Sequence, residues 1–196
     1  MVEFVLCMGL VWVPLFFGML VLGFNLVRAM QVTQVCRDAA HMYAFGTDFS
    51  QSGSQNLLIS LASGLNMTTT GGNGVIILST ITFADDLACQ AAGLQSSNCP
   101  NYHQPVFTRR IVIGNQGIQT SAFGTPSASI VNADGTISLT NSVSDPSAVA
   151  NGFISVIPTL NSSTQLVYVA EMQVISPDYN WWSFLGSSGS SARAIF

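Results

Sequence analysis

The side chains that could do chemistry are few in this chain, and their spacing does not form a reaction centre. Its two histidines are His41, in a helical pattern where packing or surface exposure is the commoner role, and His103, in a loop. No G-x-S-x-G, P-loop or H-E-x-x-H sequence occurs. We therefore predict no catalytic residue and a protein that is not an enzyme, because a secreted enzyme would need a catalytic constellation.

The cysteines and acids also lack the spacing of a metal or cofactor site. No pair among the four cysteines has metal-ligand spacing, and no C-x-x-C-H sequence for covalent haem occurs. The adjacent acids Asp85 and Asp86 lack the ligand series of a calcium loop, and we expect them in a solvated loop. The sequence thus predicts neither a metal nor a cofactor.

One pair of cysteines has a spacing that suits a disulfide. Cys89 and Cys99 flank a polar loop, as expected for a local bridge in an oxidising compartment. Four cysteines allow three connectivities, so the pairing stays open at this point. Cys7 is expected as a free thiol packed in an apolar segment, and Cys36 lies too far along the same predicted helix to reach it.

The elements that carry these residues begin with a long apolar segment. From Phe4 to Phe24 the chain has 21 residues without a charge, enough for a helix to span a bilayer. A removed signal peptide is the first alternative, but its apolar core should have about 7–15 residues, behind a basic stretch and before a small-residue cleavage site. The apolar run here is longer, no Lys or Arg precedes it, and no clear A-x-A follows it. The pattern therefore favours a retained helix.

Beyond this segment the pattern becomes amphipathic. Residues 28–45 place small or apolar side chains on one helical face, namely Ala29, Val32, Val35, Cys36, Ala39, Met42 and Tyr43. Gly46 stands where a C-cap is expected. These segments predict one rod of about 45 residues, roughly 68 Å at 1.5 Å per residue. We divide the chain into a helix, 1–46, with an apolar stem 1–27 and an amphipathic half 28–46, and an extracellular β-rich domain, 47–196.

Two residues are unusual in such a stem. Pro14 removes a backbone donor, so we expect a kink or local melting of the helix. Glu3 would lie among headgroups at a bilayer edge. Among other stems it would be buried and would need a cation or a proton, because an unpaired buried carboxylate is very costly. The stem aromatics could suggest electron transport, but packing between helices explains them better: Phe4, Trp12, Phe16, Phe17 and Phe24. We predict these residues as the assembly residues: Glu3, Pro14, Phe4, Trp12, Phe16 and Phe17.

The first 46 residues resemble the start of TadE-like pilins, relatives of type IV pilins from tight-adherence secretion systems. The resemblance is carried by the VEF opening, the unbroken apolar run VLCMGLVWVPLFFGMLVLG and the RDAA-x-x-YA motif of the exit helix. It implies a prepilin whose short basic leader is removed by a membrane peptidase. The stem then rests in the inner membrane before it bundles with other stems in the core of a helical filament. The resemblance also implies that an acid near the mature N-terminus, here Glu3, pairs with the α-amino group of a neighbour.

The chain departs from the type IV pattern at its start. Its acid is third rather than fifth, and no leader precedes Met1. Both features are expected if the chain is a mature protein, short of one or two residues at its true start. The positive-inside rule, applied to Arg28 and Arg37, would place the C-terminal side of the stem in the cytoplasm. A removed basic leader would reverse that balance, and the expected disulfide favours export.

The remainder of the chain predicts a β-rich domain. A turn and a short helix are expected over 47–65, with an apolar stripe of Leu57, Leu58, Leu61 and Leu65. Strands are expected over Val75–Phe83, Val106–Ile113, Ser129–Val131 with Thr136–Leu139, Phe153–Ile157 and Leu166–Ile175. An antiparallel sheet packed on the second half of the long helix gives an α+β, pilin-like fold. Arg109 and Arg110 should point to opposite faces, with one pairing an acid such as Glu171. Trp181, Trp182 and Phe184 are expected as a core plug or an exposed patch.

Composition limits the functions that remain. Charged residues make up 7% of the chain, against about 25% in typical domains, and no lysine is present. Such a surface suits packing against many copies of the same chain, because few charges need desolvating. The net charge of −4 argues against a nucleic-acid partner.

The sequence therefore predicts a structural subunit of a bacterial type IV-like surface pilus, used in adhesion or surface attachment. It would be a homo-oligomeric filament at the cell surface, held in the inner membrane before assembly and handled by a prepilin peptidase and pilus assembly machinery. The alternatives are a minor or priming pilin and a monomeric, membrane-anchored envelope protein.

Overall fold

The chain folds as a long helix packed on a four-stranded antiparallel sheet, which confirms the expected α+β class. The computed structural model describes the backbone of residues 2–175 and 189–196, and the side chains of residues 8–175 and 189–196. Helix α1 spans Val2–Ala44. The strands are β1 (Gly74–Phe83), β2 (Pro105–Gly114), β3 (Val167–Ile175) and β4 (Gly189–Ile195), in the order β2-β1-β3-β4.

Four short helices and three 3-10 turns lie between these elements in the described residues. The helices are α2 (Ser52–Leu61), α3 (Asp86–Ala91), α4 (Leu139–Ser144) and α5 (Phe153–Val156). The 3-10 turns are Ser63–Leu65, Ser96–Asn98 and Pro146–Ala148. Helix α2 and the first 3-10 turn connect α1 to β1, α3 and the second turn connect β1 to β2, and the others lie between β2 and β3.

The main core lies between α1 and one face of the sheet. Helix side chains such as Val32, Cys36 and Ala39 are almost fully buried against Leu78 and Met172 of the central strands. The predicted helical face is therefore correct in its centre. Ala40, which was not predicted, is also fully buried, whereas Ala29 and Met42 are half-buried.

A second core covers the opposite face of the sheet. Alternate residues of the strands, among them Ile81, Phe107 and Val169, pack against the long β2–β3 connection. That connection contributes Phe123 and Phe153, whose rings meet edge to face with centroids 4.9 Å apart. The sheet is thus covered on both faces, by α1 on one side and by loops and short helices on the other.

Helix α1 ends as the sequence predicts and runs through its proline. Gly46 has φ +88° and its N–H donates to Tyr43, while the N–H of Thr47 donates to Met42. This is the left-handed ending that glycine favours. Residues on both sides of Pro14 remain helical, so the expected local melting does not occur. Prolines are tolerated in apolar helices when neighbouring groups satisfy the freed carbonyl.

Three predicted elements are wrong in part. The segment Phe153–Ile157, predicted as a strand, contains the helix α5, which ends at Val156 and follows Gly152 at φ +72°. The predicted hairpin around Asp134 is a tight turn closed by a single bridge between Val131 and Ile137. In α2, Leu58 and the following Leu65 are buried, but Leu57 and Leu61 are about half exposed. Strand β4 was not predicted, because GSSARAI is mostly Gly, Ser and Ala and has a single β-branched residue, Ile195.

Candidate functional site

The first half of α1 is the feature of this chain that most requires a partner. Fourteen large hydrophobic side chains between Met8 and Val27 are exposed, including Leu10 at 76% and Leu22 at 72%. Among the described helices, α1 alone is long and apolar enough to cross a membrane, and none of its most apolar stretch is buried within the chain. The sheet covers only the second half, beginning at Val32. The helix therefore has a free apolar stem and a packed half.

The predicted assembly residues lie along this stem. Trp12 and Phe16 are about 60% exposed, and the rings of Phe16 and Phe17 meet edge to face at 6.0 Å. Pro14 lies between them in the unbroken helix. Glu3 and Phe4 belong to the backbone of α1, but their side chains, like that of Cys7, lie outside the described residues. Trp181, Trp182 and Phe184 also lie outside them.

The packed half of α1 is held to the sheet by specific polar bonds as well as by apolar contact. The thiol of Cys36 is 1% exposed and donates to the carbonyl of Ala170 at 3.4 Å and of Ala192 at 3.5 Å. In the last turn of the helix, the Tyr43 hydroxyl lies 2.8 Å from the Thr80 hydroxyl of β1. These contacts fix the direction in which the stem leaves the domain.

An ion pair joins the end of α1 to the sheet. Arg109 of β2 contacts Asp48 at 2.5 Å, and both side chains are partly exposed. Bonds from the backbone N–H and the hydroxyl of Ser50, together with the Arg109 guanidinium, lower the pKa of Asp48 to about 2. The Asp48 carboxyl group therefore stays ionised over the whole physiological pH range.

A buried polar network lies on the opposite face of the sheet. Glu171 of β3 is 3% exposed and accepts from Arg193, its directly opposed residue on β4, at 3.0 and 3.2 Å. It also accepts from the Ser121 hydroxyl and the Ala122 N–H. The nearby Arg110 donates to the carbonyl of Gly124 at 2.8 Å, and burial lowers the pKa of its guanidinium. The network ties the β2–β3 connection to the sheet.

The two adjacent arginines have only part of their predicted roles. Arg109 and Arg110 do point to opposite faces, as the alternation of a strand requires. However, Arg109 pairs with Asp48, and the cation that contacts Glu171 is Arg193. The missed partner lies in β4, which the sequence pattern did not reveal as a strand.

The disulfide predicted from cysteine spacing is present. Cys89 and Cys99 are bonded, and both are buried beside α3. Cys36 is a free, buried cysteine. The acid before α3 is not a solvated loop residue as expected: Asp85 caps the helix through the Ala88 N–H and accepts from Ser163. Partial burial acts to raise the pKa of Asp85, but the hydrogen bonds outweigh it, and the pKa lies below its ordinary value.

The described residues contain no cluster of metal-ligating side chains. No group of three His, Cys, Asp or Glu side chains in them could hold a metal ion. His41 is exposed on α1, with its ring 4.4 Å from that of Phe45. His103 has φ +59° and its ring meets that of Tyr102 at 4.2 Å. Both histidines have aromatic neighbours that explain their positions.

Comparisons with known proteins do not assign the chain to a family. No protein-family model, curated protein or solved structure matches it.

Proposed function

We propose that this chain is a structural subunit of a bacterial type IV-like surface filament, which polymerises through the apolar stem of α1 for adhesion or surface attachment. One observation carries the proposal: a single helix has an unburied apolar half and a second half built into the core of a folded domain. The two halves form one helix, Val2–Ala44, and its residues from Val32 onward belong to that core.

The size of the exposed surface supports association rather than solvation of the stem. Burying a large apolar side chain is worth about 1.5–3 kcal/mol. For the fourteen exposed side chains of the stem the total is on the order of 20 kcal/mol, which exceeds the stability of a typical domain. The stem must therefore be covered by lipid or by other stems. A filament subunit uses both, first the inner membrane and then the bundle of stems.

The polar surface of the domain fits many identical neighbours. Few charges are present, and several of those in the domain are already paired within the chain, as in Arg109 with Asp48 and Arg193 with Glu171. Repeated copies can then approach without desolvating many unpaired ions. In such a bundle Glu3 would lie in an apolar core, and the α-amino group of an adjacent subunit would neutralise it.

Replacement of Glu3 tests this mechanism. The Glu3→Ala variant should leave the outer domain folded but block fibre assembly, since the pairing with a neighbour is lost. Asp38→Ala is the matched control, because Asp38 is an exposed acid on the packed half of the same helix. Electron microscopy of sheared surface material and immunolabelling of this chain provide the measurement. Normal fibres from Glu3→Ala cells would refute the pairing.

The same preparations separate the alternatives. A major subunit should be the most abundant protein of the fibre, whereas a priming pilin should be present in a few copies. A monomeric envelope protein should be absent from every fibre and should remain in the membrane fraction. Sequencing the mature N-terminus identifies the amine that would face Glu3.

A further inference from the structure

A pocket of about 300 Å³ opens at the end of the domain farthest from the apolar stem. Cys36 of α1 bonds to Ala170 of β3, whereas Tyr43, about two turns farther from the stem, packs against Tyr168. Strand β3 therefore starts at the far end of the domain and runs back toward the stem. The pocket lies beside Tyr43 and Tyr168, at the opposite end of α1 from the apolar stem.

The wall of this pocket combines aromatic rings with hydroxyl groups. The rings of Tyr43 and Tyr168 are perpendicular, with centroids 5.4 Å apart, and Tyr168 is the more exposed of the two. Thr80, Thr108 and Thr136 also line the pocket. Each hydroxyl has one donor and two acceptor sites, so the Tyr43–Thr80 bond leaves acceptor capacity on both oxygens. An aromatic surface with several convergent hydroxyls suits a ligand that has both C–H faces and hydroxyl groups.

Arg109 adds a directional donor to this wall. It lines the pocket, and its Nε and one terminal nitrogen are engaged by the Asp134 carbonyl and by Asp48. The other terminal nitrogen, Nη1, has no hydrogen-bond partner within the described residues. The bonds of Nε and Nη2 orient the planar guanidinium group, so the N–H groups of Nη1 can donate only in a defined direction.

The charges around the pocket distinguish a neutral ligand from an acidic one. Among the described residues that line the pocket, Arg109 is the single cation, and it already contacts the carboxylate of Asp48. A second carboxylate, that of Asp134, accepts from the Thr136 hydroxyl at 2.6 Å. Two anions thus lie close to one cation, which disfavours a carboxylated or phosphorylated ligand.

We propose that this pocket binds a neutral pyranose residue of a glycan. The half-buried ring of Tyr168 would contact the apolar face of the sugar, Arg109 Nη1 would donate to a sugar hydroxyl, and threonine hydroxyl oxygens would accept from others. The inference goes beyond the proposed filament role and does not depend on it, because each copy of the chain contains a complete pocket.

Saturation-transfer difference NMR on the full chain tests the proposal. The chain is held in lauryldimethylamine oxide, since that detergent contains no sugar. The probes are the methyl glycosides of glucose, galactose and mannose, with glucuronate as the acidic comparison. We expect transfer to ring protons of at least one neutral sugar with an affinity in the millimolar range, and about tenfold weaker binding of glucuronate.

Two pairs of variants locate the binding. Arg109→Gln should weaken it about tenfold, whereas Arg37→Gln, the same change on the exposed surface of α1, should leave it unchanged. If Arg109→Gln fails to fold, Tyr168→Phe and Tyr168→Leu decide the question, because the first keeps the ring and the second removes it. Binding should survive in Tyr168→Phe and be lost in Tyr168→Leu.

Three results would overturn the proposal: no transfer to any of the three neutral sugars, glucuronate binding as tightly as they do, or full binding by Tyr168→Leu. The Glu3→Ala variant should bind sugar as the parent does. A failure of the pocket is thereby separable from a failure of filament assembly.

Discussion

Glu171 is a position where replacing one carboxylate oxygen with an amide nitrogen should strongly lower the stability of the folded domain. In Glu171→Gln the carboxylate that faces Arg193 and accepts from Ser121 and Ala122 becomes a neutral amide. Arg193 can recover part of the loss, because its side chain is 39% exposed and can be hydrated. Arg110 is only 9% exposed, so water cannot replace the stabilising charge of Glu171 that its guanidinium loses.

The magnitude follows from this asymmetry. Breaking a buried ion pair by removing one partner costs about 3–5 kcal/mol. The hydration of Arg193 and the amide oxygen that still accepts from Ala122 reduce that figure. We therefore expect Glu171→Gln to lower the free energy of unfolding by about 2–3 kcal/mol, equivalent to a fall in Tm of about 4–12 °C for a domain of this size.

Asp48→Asn is the matched control, since it also converts a paired acid into its amide. Both members of the Asp48–Arg109 pair are partly exposed, so its loss should cost less than 1 kcal/mol. Urea unfolding of the full chain, followed by near-UV circular dichroism, measures both. The reasoning is refuted if Glu171→Gln lies within about 0.5 kcal/mol of the parent, or if Asp48→Asn is the more damaging change.

Two further predictions concern the disulfide and the acid limb of the stability curve. Cys89 and Cys99 are 10 residues apart, so reduction of their disulfide should lower the free energy of unfolding by about 2–3 kcal/mol through loop-closure entropy. The urea midpoint should therefore fall when a reductant is added, and an unchanged midpoint would contradict this. The pKa of Asp48 in the folded protein, about 2, lies below its value in the unfolded chain. Its contribution to the free energy of unfolding is therefore fully present above the unfolded pKa and is lost as the pH falls through 2. NMR titration of its carboxyl carbon should give that low midpoint, and Ser50→Ala should raise it; an ordinary midpoint in the parent would count against the Ser50 bonds.

The long helix could be predicted because its signals are local. A charge-free run, a 3.6-residue repeat of buried positions and a glycine at the end all lie within 46 residues of sequence. The face that packs on the sheet, centred on Val32, Cys36 and Ala39, follows from the same repeat. Strands β1, β2 and β3 were also predictable, since each is a run rich in β-branched residues.

Elements whose signal is weak locally were missed or mistaken. The segment from Phe153 to Ile157 is a short apolar run, and periodicity cannot distinguish a strand from a helix over so few residues. Strand β4 is built of Gly, Ser and Ala with one arginine and one isoleucine, and its extended form is maintained by pairing with β3 and packing under α1. In both segments the secondary structure is determined by contacts with residues distant in sequence.

The sequence by itself determined that this protein has a continuous apolar and amphipathic helix, two cysteines spaced for a local disulfide and an α+β domain, because those features depend on residues close together in the chain. The tertiary structure alone decided which charges meet, as in Asp48 with Arg109 across 61 residues and Glu171 with Arg193 across the β3–β4 pairing. It also placed Tyr43, Thr108 and Tyr168 around one pocket. Side chains so far apart in sequence are brought together by strand register and helix packing, and no local pattern encodes either.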